Sequence, residues 1–204
     1  TIWKDVDGVM NADPRRFEDA VLIPRLSYNE AIELAYYGAS VLHPKTIQPL
    51  KSKAIPLYVK SFLDPAKPGT VVLENASRTL NETQCYIVKE NQSLITIASK
   101  DFSFIVEDNL EIIFNAFNTA GVQVNLMQNS AISFMACFTA DALKSVKLGE
   151  LLSDKFNADL VEGYTLLTVF NYNDSNTKLK TIINERAIAL EQKSSSALQL
   201  LLRD

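Results

Sequence analysis

The sequence predicts a mixed α/β chain made of more than one unit, and two observations carry that reading. A helix with clear start and stop signals lies between strand-like segments in the first third. Ser27 and Glu30 have the S-x-x-E spacing of a capping box, and Gly38 stands where a left-handed cap is needed. From about residue 94 the hydrophobic period switches in the order strand, helix, strand, strand, helix, strand. At 204 residues the chain has room for one large domain or two small ones.

Taken in order, Thr1–Val6 reads as a short strand closed by the Asp7-Gly8 turn. Pro14 restricts Asp13 and marks a second break. The helix formers Ala31, Glu33, Leu34 and Ala35 follow the capping box, and Pro44 and Pro49 bracket another short helix. Ile55–Lys60 is strand-like and Asp64–Gly69 a loop. Residues 74–83 are polar without an apolar period, which makes them the expected domain boundary, with a new unit starting near Gln84.

Beyond it, Leu94–Ser99 alternates as a strand, and Val106, Leu110, Ile113, Phe114 and Phe117 recur at helical spacing up to Gly121. Val122–Met127 and Ile132–Phe138 read as two strands joined around Gln128–Ser130. Asp141 can cap a helix carrying Val146, Leu151 and Leu152, and Leu160–Tyr164 closes a ferredoxin-like β-α-β-β-α-β set. The tail repeats the start of that set in shortened form. It has a strand at Leu166–Tyr172, a short helix at Thr177–Asn184, and strands at Ala187–Gln192 and Ala197–Arg203. Cys85–Val88 can lend this copy a further strand, in which case the first copy is inserted within the second. The expected layout is a first domain over 1–80, a ferredoxin-like unit over 94–165, and a shortened one made of 84–93 and 166–204.

The composition, 47% hydrophobic and 22% charged, is that of an ordinary globular protein. A net charge of -4 with scattered Lys and Arg argues against nucleic-acid binding. No apolar run approaches the roughly 18 residues of a membrane span. Thr1 opens into a strand-like stretch without a signal-peptide pattern, so a cytoplasmic protein with no membrane partner is expected. A start without methionine also suggests a piece of something longer. Cys85 and Cys137 stand far apart in apolar surroundings and read as buried thiols in a reducing compartment. One histidine and no Cys-x-x-Cys argue against a metal site. His43, between Leu42 and Pro44 without an acid or nucleophile nearby in sequence, reads as a packing or hydrogen-bonded histidine.

Three segments in order then resemble the aspartate kinase family. Thr1–Arg15 (TIWKDVDGVMNADPR) is similar to the family's W-T-D-V-x-G-V-x-x-x-D-P-R segment. Gly38–Thr46 (GASVLHPKT) is similar to G-A-K-V-L-H-P-x-T, and Ile55–Gly69 to the I-P-x-x-V-x-x-x-x-x-P-x-x-P-G run that leaves the catalytic domain. The stretch V-Q-V-N-L-M-Q-N-S resembles the ligand-facing strand and loop of the family's ACT domains. The resemblance covers essentially the whole chain. It implies the end of an amino-acid-kinase-fold domain followed by two intertwined ferredoxin-like ACT domains, an α/β (α+β) architecture.

It also implies a reaction, transfer of the ATP γ-phosphoryl group to the side-chain carboxylate of L-aspartate on the way to lysine, threonine and methionine. ATP with Mg²⁺ would serve the parent enzyme, and no cofactor is expected to bind this chain tightly. By position, Lys4 and Asp5 resemble the Thr-Asp pair bordering the nucleotide, and Met10 lies where an aromatic residue commonly packs near the base. Arg15 matches the nucleotide-contacting arginine, whose fork suits paired phosphate oxygens. Ser40 and Val41 match the family's Lys-Val contact, with serine in place of the usual lysine. Asp7 reads as turn chemistry. For the effector, the resemblance points to Val124, Asn125, Gln128, Asn129 and Ser130. Side-chain amides can serve both the ammonium and the carboxylate of a free amino acid. Phe102 and Phe104 read equally as core or as the loop covering an effector. Asn125 stands where lysine-sensing relatives often carry aspartate, which weakens the case for a cationic effector and keeps threonine beside lysine.

The shortened copy, with Asn171–Asn176 in place of a glycine-bearing ligand loop, is expected to bind nothing and to pair subunits, Leu198, Leu200 and Leu202 suiting an edge strand. Neither the family's K-F-G-G-[TS] segment nor its R-G-G-S-D segment occurs in these residues, so the chain alone is expected to be inactive. The alternative is a non-catalytic, amino-acid-binding regulatory subunit. A dimerising ACT protein unrelated to kinases leaves residues 1–69 unexplained.

Overall fold

The computed structural model describes residues 1–39, 41–74, 83–101, 103–173 and 177–203, and of residue 177 the backbone only. Most of the expected boundary at 74–83 lies outside the described residues, as do Phe102, Ser40 and 174–176 of the Asn171–Asn176 stretch. Two compact units divide the chain: the first holds 1–88, 167–182 and 192–199, the second 89–166, 183–191 and 200–204.

In the first unit, β1 (Ile2–Lys4), β2 (Arg25–Ser27), β3 (Leu57–Ser61) and β4 (Thr70–Leu73) form a four-stranded sheet ordered β1-β3-β4-β2. β1 runs parallel to β3, with Ile2 opposite Val59, and β2 parallel to β4, while β3 and β4 are antiparallel. Helix α1 (Tyr28–Tyr37) starts on the expected capping box: Ser27 Oγ accepts from the Glu30 N–H at 3.2 Å, and Glu30 accepts from the Ser27 N–H at 2.7 Å. It ends at Gly38, and Ala31 and Leu34 face a core of Ile23, Leu26, Ile47, Val59 and Val72. Helix α2 (Pro44–Ser52) is capped by His43, whose Nδ1 accepts from the Lys45 N–H at 3.2 Å, so this histidine is a hydrogen-bonded structural residue. Contrary to the sequence expectation, α2 runs through Pro49. Burial of Ile47 and the packing of Leu50 offset the one backbone bond a proline cannot donate.

The rest of the chain supplies β5 (Cys85–Ser99), α3 (Glu107–Ala120), β6 (Val124–Asn129), β7 (Ser133–Thr139), α4 (Ala142–Leu152), β8 (Phe156–Phe170), α5 (Thr177–Ile183), β9 (Ile188–Lys193) and β10 (Ala197–Arg203). The six strands form one sheet in the order β6-β7-β5-β8-β10-β9. The expected β-α-β-β-α-β order is present as β5-α3-β6-β7-α4-β8, with the strand neighbours of a ferredoxin-like sheet. Two strands are longer than the sequence suggests. β5 joins Cys85–Val88 to Leu94–Ser99 through Asn91, and β8 runs through Gly163; both residues have positive φ, 54° and 82°. In β5 the polar run around Asn91 interrupts the apolar pattern that marks a strand.

A second expectation is overturned. β10 lies between β8 and β9 rather than at an edge, and Leu198, Leu200, Leu201 and Leu202 are all buried. Leucines on both faces belong to an interior strand. The edges are β6 and β9. In the second unit α3 and α4 cover one sheet face over Ile95, Ile97, Phe134, Ala136 and Phe138, and Asp141 caps α4 as expected. Leu94, Leu126, Cys137, Tyr164 and Leu201 form a separate cluster. Both cysteines are free and buried. No helix among the described residues is long and apolar enough to cross a membrane.

Candidate functional site

A cleft of about 630 Å³ opens in the first unit where the loops after β1 meet the C-terminal end of α1 and the start of β5. Lys4, Asp5, Met10, Arg15 and Val41 all line it, together with Asp13, Arg16, Phe17 and Tyr86. Ser40 lies outside the described residues. Local chemistry explains why the loop holds its shape. Asp13 Oδ1 accepts from the Arg15 N–H at 3.0 Å, and the Asp13 carbonyl accepts from the N–H groups of Arg16 and Phe17 at 2.9 Å each. The carboxylate of Asp13 also grips the Arg15 guanidinium in two places, from Nε at 3.0 Å and from Nη2 at 2.9 Å.

The Arg15 side chain is otherwise open to solvent, at 87% exposure, so its cation is aimed without being neutralised by burial. Hydrogen bonds from Arg15 hold the Asp13 carboxyl below the usual range, and the same pair raises Arg15, with Asp5 adding a smaller push. An open cleft with Lys4, Arg15 and Arg16 on its lining can accept an anion, and Met10, Val41 and Phe17 offer apolar surface beside it.

Polar side chains hold the backbone beside the cleft. Thr70 is fully buried; its Oγ1 accepts from the Val9 N–H at 2.9 Å and donates to the Ile23 carbonyl at 2.7 Å. Asn11, which sequence reasoning passed over, ties three segments together. Its Oδ1 accepts from the Val21 N–H at 2.8 Å, its Nδ2 donates to the Gln84 carbonyl at 3.2 Å, and its own carbonyl accepts from the Tyr86 N–H at 2.7 Å. Cys85 also lines the cleft, and burial pushes its thiol up to about 12. Asp7 makes an ion pair with Lys67 at 2.7 Å, away from any role on the lining.

The second set of expected residues lies on β6 and is divided by the structure. Asn125 sits at a β-bulge between Val124 and Leu126. Its Oδ1 accepts from Lys89 Nζ at 2.9 Å and its Nδ2 donates to Gln92 Oε1 at 2.8 Å. Gln92, only 1% exposed, falls between the two segments that read as strands and belongs to no motif in the sequence; its Nε2 donates to the Glu90 carbonyl at 2.8 Å. Val124 packs on the helical face instead. At about 3.3 Å per residue, Asn129 lies some 13 Å further along. Its Nδ2 donates to the Ile105 carbonyl at 3.1 Å, next to Phe104, which is 64% exposed. Ser130 Oγ accepts from the Ser133 N–H at 3.1 Å and so makes the turn, while Gln128 is exposed. Across the loop before α3, the Asp101 carboxylate accepts from Ser99 Oγ and from the Ser103 N–H, which hold it well below its ordinary range.

Comparison with known proteins decides the family. The model for the amino acid kinase family matches residues 1–61. Aspartokinase 1, chloroplastic, of Arabidopsis thaliana is 34% identical over 147 residues, 72% of this chain and 26% of that one. E. coli aspartokinase III solved with aspartate and ADP (R-state) is 25% identical with a TM-score of 0.82, over 99% of this chain and 48% of that one. The same enzyme with lysine and aspartate (T-state) is 27% identical with a TM-score of 0.79, over 99% and 47%. The chain belongs to the aspartokinase family. It carries the family's C-terminal regulatory region, and it spans about half of aspartokinase III and about a quarter of the plant relative.

Proposed function

We propose that the chain serves an enzyme that transfers the ATP γ-phosphoryl group to the side-chain carboxylate of L-aspartate, forming 4-phospho-L-aspartate under feedback control. In this reading the first unit supplies one wall of the nucleotide site and β6 with its neighbours supplies the amino-acid sensor. The observation that carries it is convergence: five of the six residues assigned to nucleotide from sequence line one cleft, with an arginine fork on its rim. Phosphoryl transfer asks chiefly for positioning and for charge on phosphate oxygens, and a guanidinium held by a neighbouring carboxylate suits that task. Among the described residues no group of three His, Cys, Asp or Glu side chains could cage an ion. The described side chains offer no cage of that kind, and Mg²⁺ in this reading would come with the nucleotide phosphates.

Lysine or threonine is the effector in this reading. Lysine is bound in one aspartokinase III structure, while an amide rather than a carboxylate at Asn125 favours threonine. Free, buried thiols support a reducing, cytoplasmic setting. β6 and β9, as the sheet's edges, are the strands that would pair with a second copy.

The test is titration of ADP into the chain, followed by amide chemical shifts. Residues Lys4–Arg16 should move, and Arg15→Ala should weaken binding about 10- to 100-fold, the worth of a charge-assisted pair of bonds. Shifts elsewhere, or none, would remove the nucleotide reading. A thermal-shift series with lysine, threonine, methionine and isoleucine tests the sensor. A ligand at 100 times its Kd should add about 2.7 kcal/mol, and no response to any would withdraw the β6 assignment. The purified chain should form no aspartyl phosphate.

A further inference from the structure

Two aromatic rings on the cleft lining, Phe17 and Tyr86, are held by a residue far along the chain. Lys178, in α5, places its ammonium 5.0 Å from the centroid of each ring. The same ammonium lies 2.6 and 2.7 Å from the two carboxylate oxygens of Asp19. The rings are themselves 6.0 Å apart and tilted by 35°, so one cation bridges two aromatic faces and a carboxylate. Its side chain is only 29% exposed. Tyr86 is buried and stitched by backbone to Asn11 and Ala12, whereas Phe17 and Asp19 belong to the loop that carries Arg15. That loop also has its own turn at Asp13, a bond from the Ala20 N–H to the Phe17 carbonyl at 3.0 Å, and the Asn11–Val21 pairing at its ends. Lys178 fastens the loop segment to the strand residue.

We infer that Lys178 is a positioning residue for the nucleotide cleft: it fixes the Phe17–Asp19 segment against Tyr86 and thereby the aim of Arg15. The inference rests on the nucleotide reading above. It also makes α5, which the sequence assigns to the second ACT unit, a point through which that stretch bears on the cleft wall. Arginine can make the same ring and carboxylate contacts, while methionine keeps the stem and loses the charge.

The test compares Lys178→Met, Lys178→Arg and Asp19→Asn with wild type in the whole chain. Hydrogen exchange reads the amides of Arg16, Phe17 and Ala20, and ADP titration reads affinity. Lys178→Met should speed exchange at those amides about tenfold and weaken ADP about three- to tenfold, as a misaimed contact does. Asp19→Asn should do both to a smaller extent, and Lys178→Arg should stay near wild type. Unchanged exchange in Lys178→Met overturns the inference whatever ADP does. Faster exchange with unchanged ADP affinity, while Arg15→Ala still weakens ADP, overturns the positioning role and leaves the nucleotide reading standing. ADP binding away from the cleft sinks both. Should Lys178→Met not fold, Asp19→Asn, which alters an exposed carboxylate, decides alone.

Discussion

In the first unit the cleft residues are fixed largely through the backbone. The Val9 N–H is held by buried Thr70, Asn11 is bonded through its main chain to Val21 and Tyr86, and Gly69 lets β3 and β4 close tightly. In the second unit side chains hold side chains: Lys89, Asn125 and Gln92 form a chain of bonds beside Cys137, and Ser99, Asp101 and Ser103 form another. A backbone scaffold leaves side chains on its rim exposed, as Arg15 is even while Asp13 grips its guanidinium. A side-chain network spends its polar groups on one another, and a ligand there has to exchange partners rather than fill vacancies.

The scaffold should therefore break at glycine. At Gly69, with φ of 72°, an added Cβ would stand 2.2 Å from the Val59 carbonyl oxygen, a backbone atom that cannot swing away. Gly69→Ala should cost about 3–4 kcal/mol, at the severe end for a point change. Gly121 has nearly the same backbone, φ of 69°, but nothing within 4 Å of the added atom. Gly121→Ala should cost only the left-handed penalty, about 1–2 kcal/mol. Urea unfolding of both variants measures the difference; equal losses would mean that close approach at Gly69 is not what holds the first unit.

The network should break at Gln92, whose side-chain amide donates to the Glu90 carbonyl and to Thr139 Oγ1 and whose oxygen accepts from Asn125 and Cys137. Gln92→Leu keeps the volume and strands those partners, a cost of about 1–3 kcal/mol. The same change should alter the response to an effector, since Asn125 loses its restraint. Stability equal to wild type in Gln92→Leu would show the network to be incidental.

How much of this was legible beforehand follows the same division. The capping box at Ser27, the stop at Gly38 and the helix ending at Gly121 are local devices, and the sequence displays them. The gathering of Lys4, Asp5, Met10, Arg15 and Val41 came from family likeness, since nothing local brings residue 41 beside residue 4. Other features stayed hidden, two of them because their cause is tertiary. Asn11 and Lys178 act through segments distant in sequence, 73 residues away for Asn11 with Gln84 and 159 for Lys178 with Asp19. β5 reads as two fragments because polar Lys89–Ser93, with Asn91 at positive φ, separates its apolar ends, and β8 reads as two strands divided at Thr165 although it runs unbroken. β10 was read as an edge because its alternate leucines were counted and the intervening Leu201 was not.

One buried thiol lies in each region, and alkaline pH sharpens the comparison. Burial pushes both Cys85 and Cys137 up to about 12, against an ordinary value near 9. The unfolded thiols ionise first as pH rises, so above about 9 the unfolded chain binds fewer protons than the folded one and stability falls. The slope is at most about 1.4 kcal/mol per pH unit for each thiol, and the loss is absent below the unfolded value. Lys89 contributes with the opposite sign: burial lowers its folded value, the folded state releases its proton first, and stability rises with pH across that window. Glu30 adds to the rise at Cys85, whereas Lys89 opposes it at Cys137. Urea midpoints from pH 8.5 to 10.5 should therefore decline in wild type, flatten in Cys85→Ala and Cys137→Ala, and steepen in Lys89→Met. A flat wild-type curve would mean that neither thiol is sealed from water as the fold requires. A decline removed by Cys85→Ala alone would show that Lys89 already offsets its neighbour, the behaviour expected where side chains answer to one another.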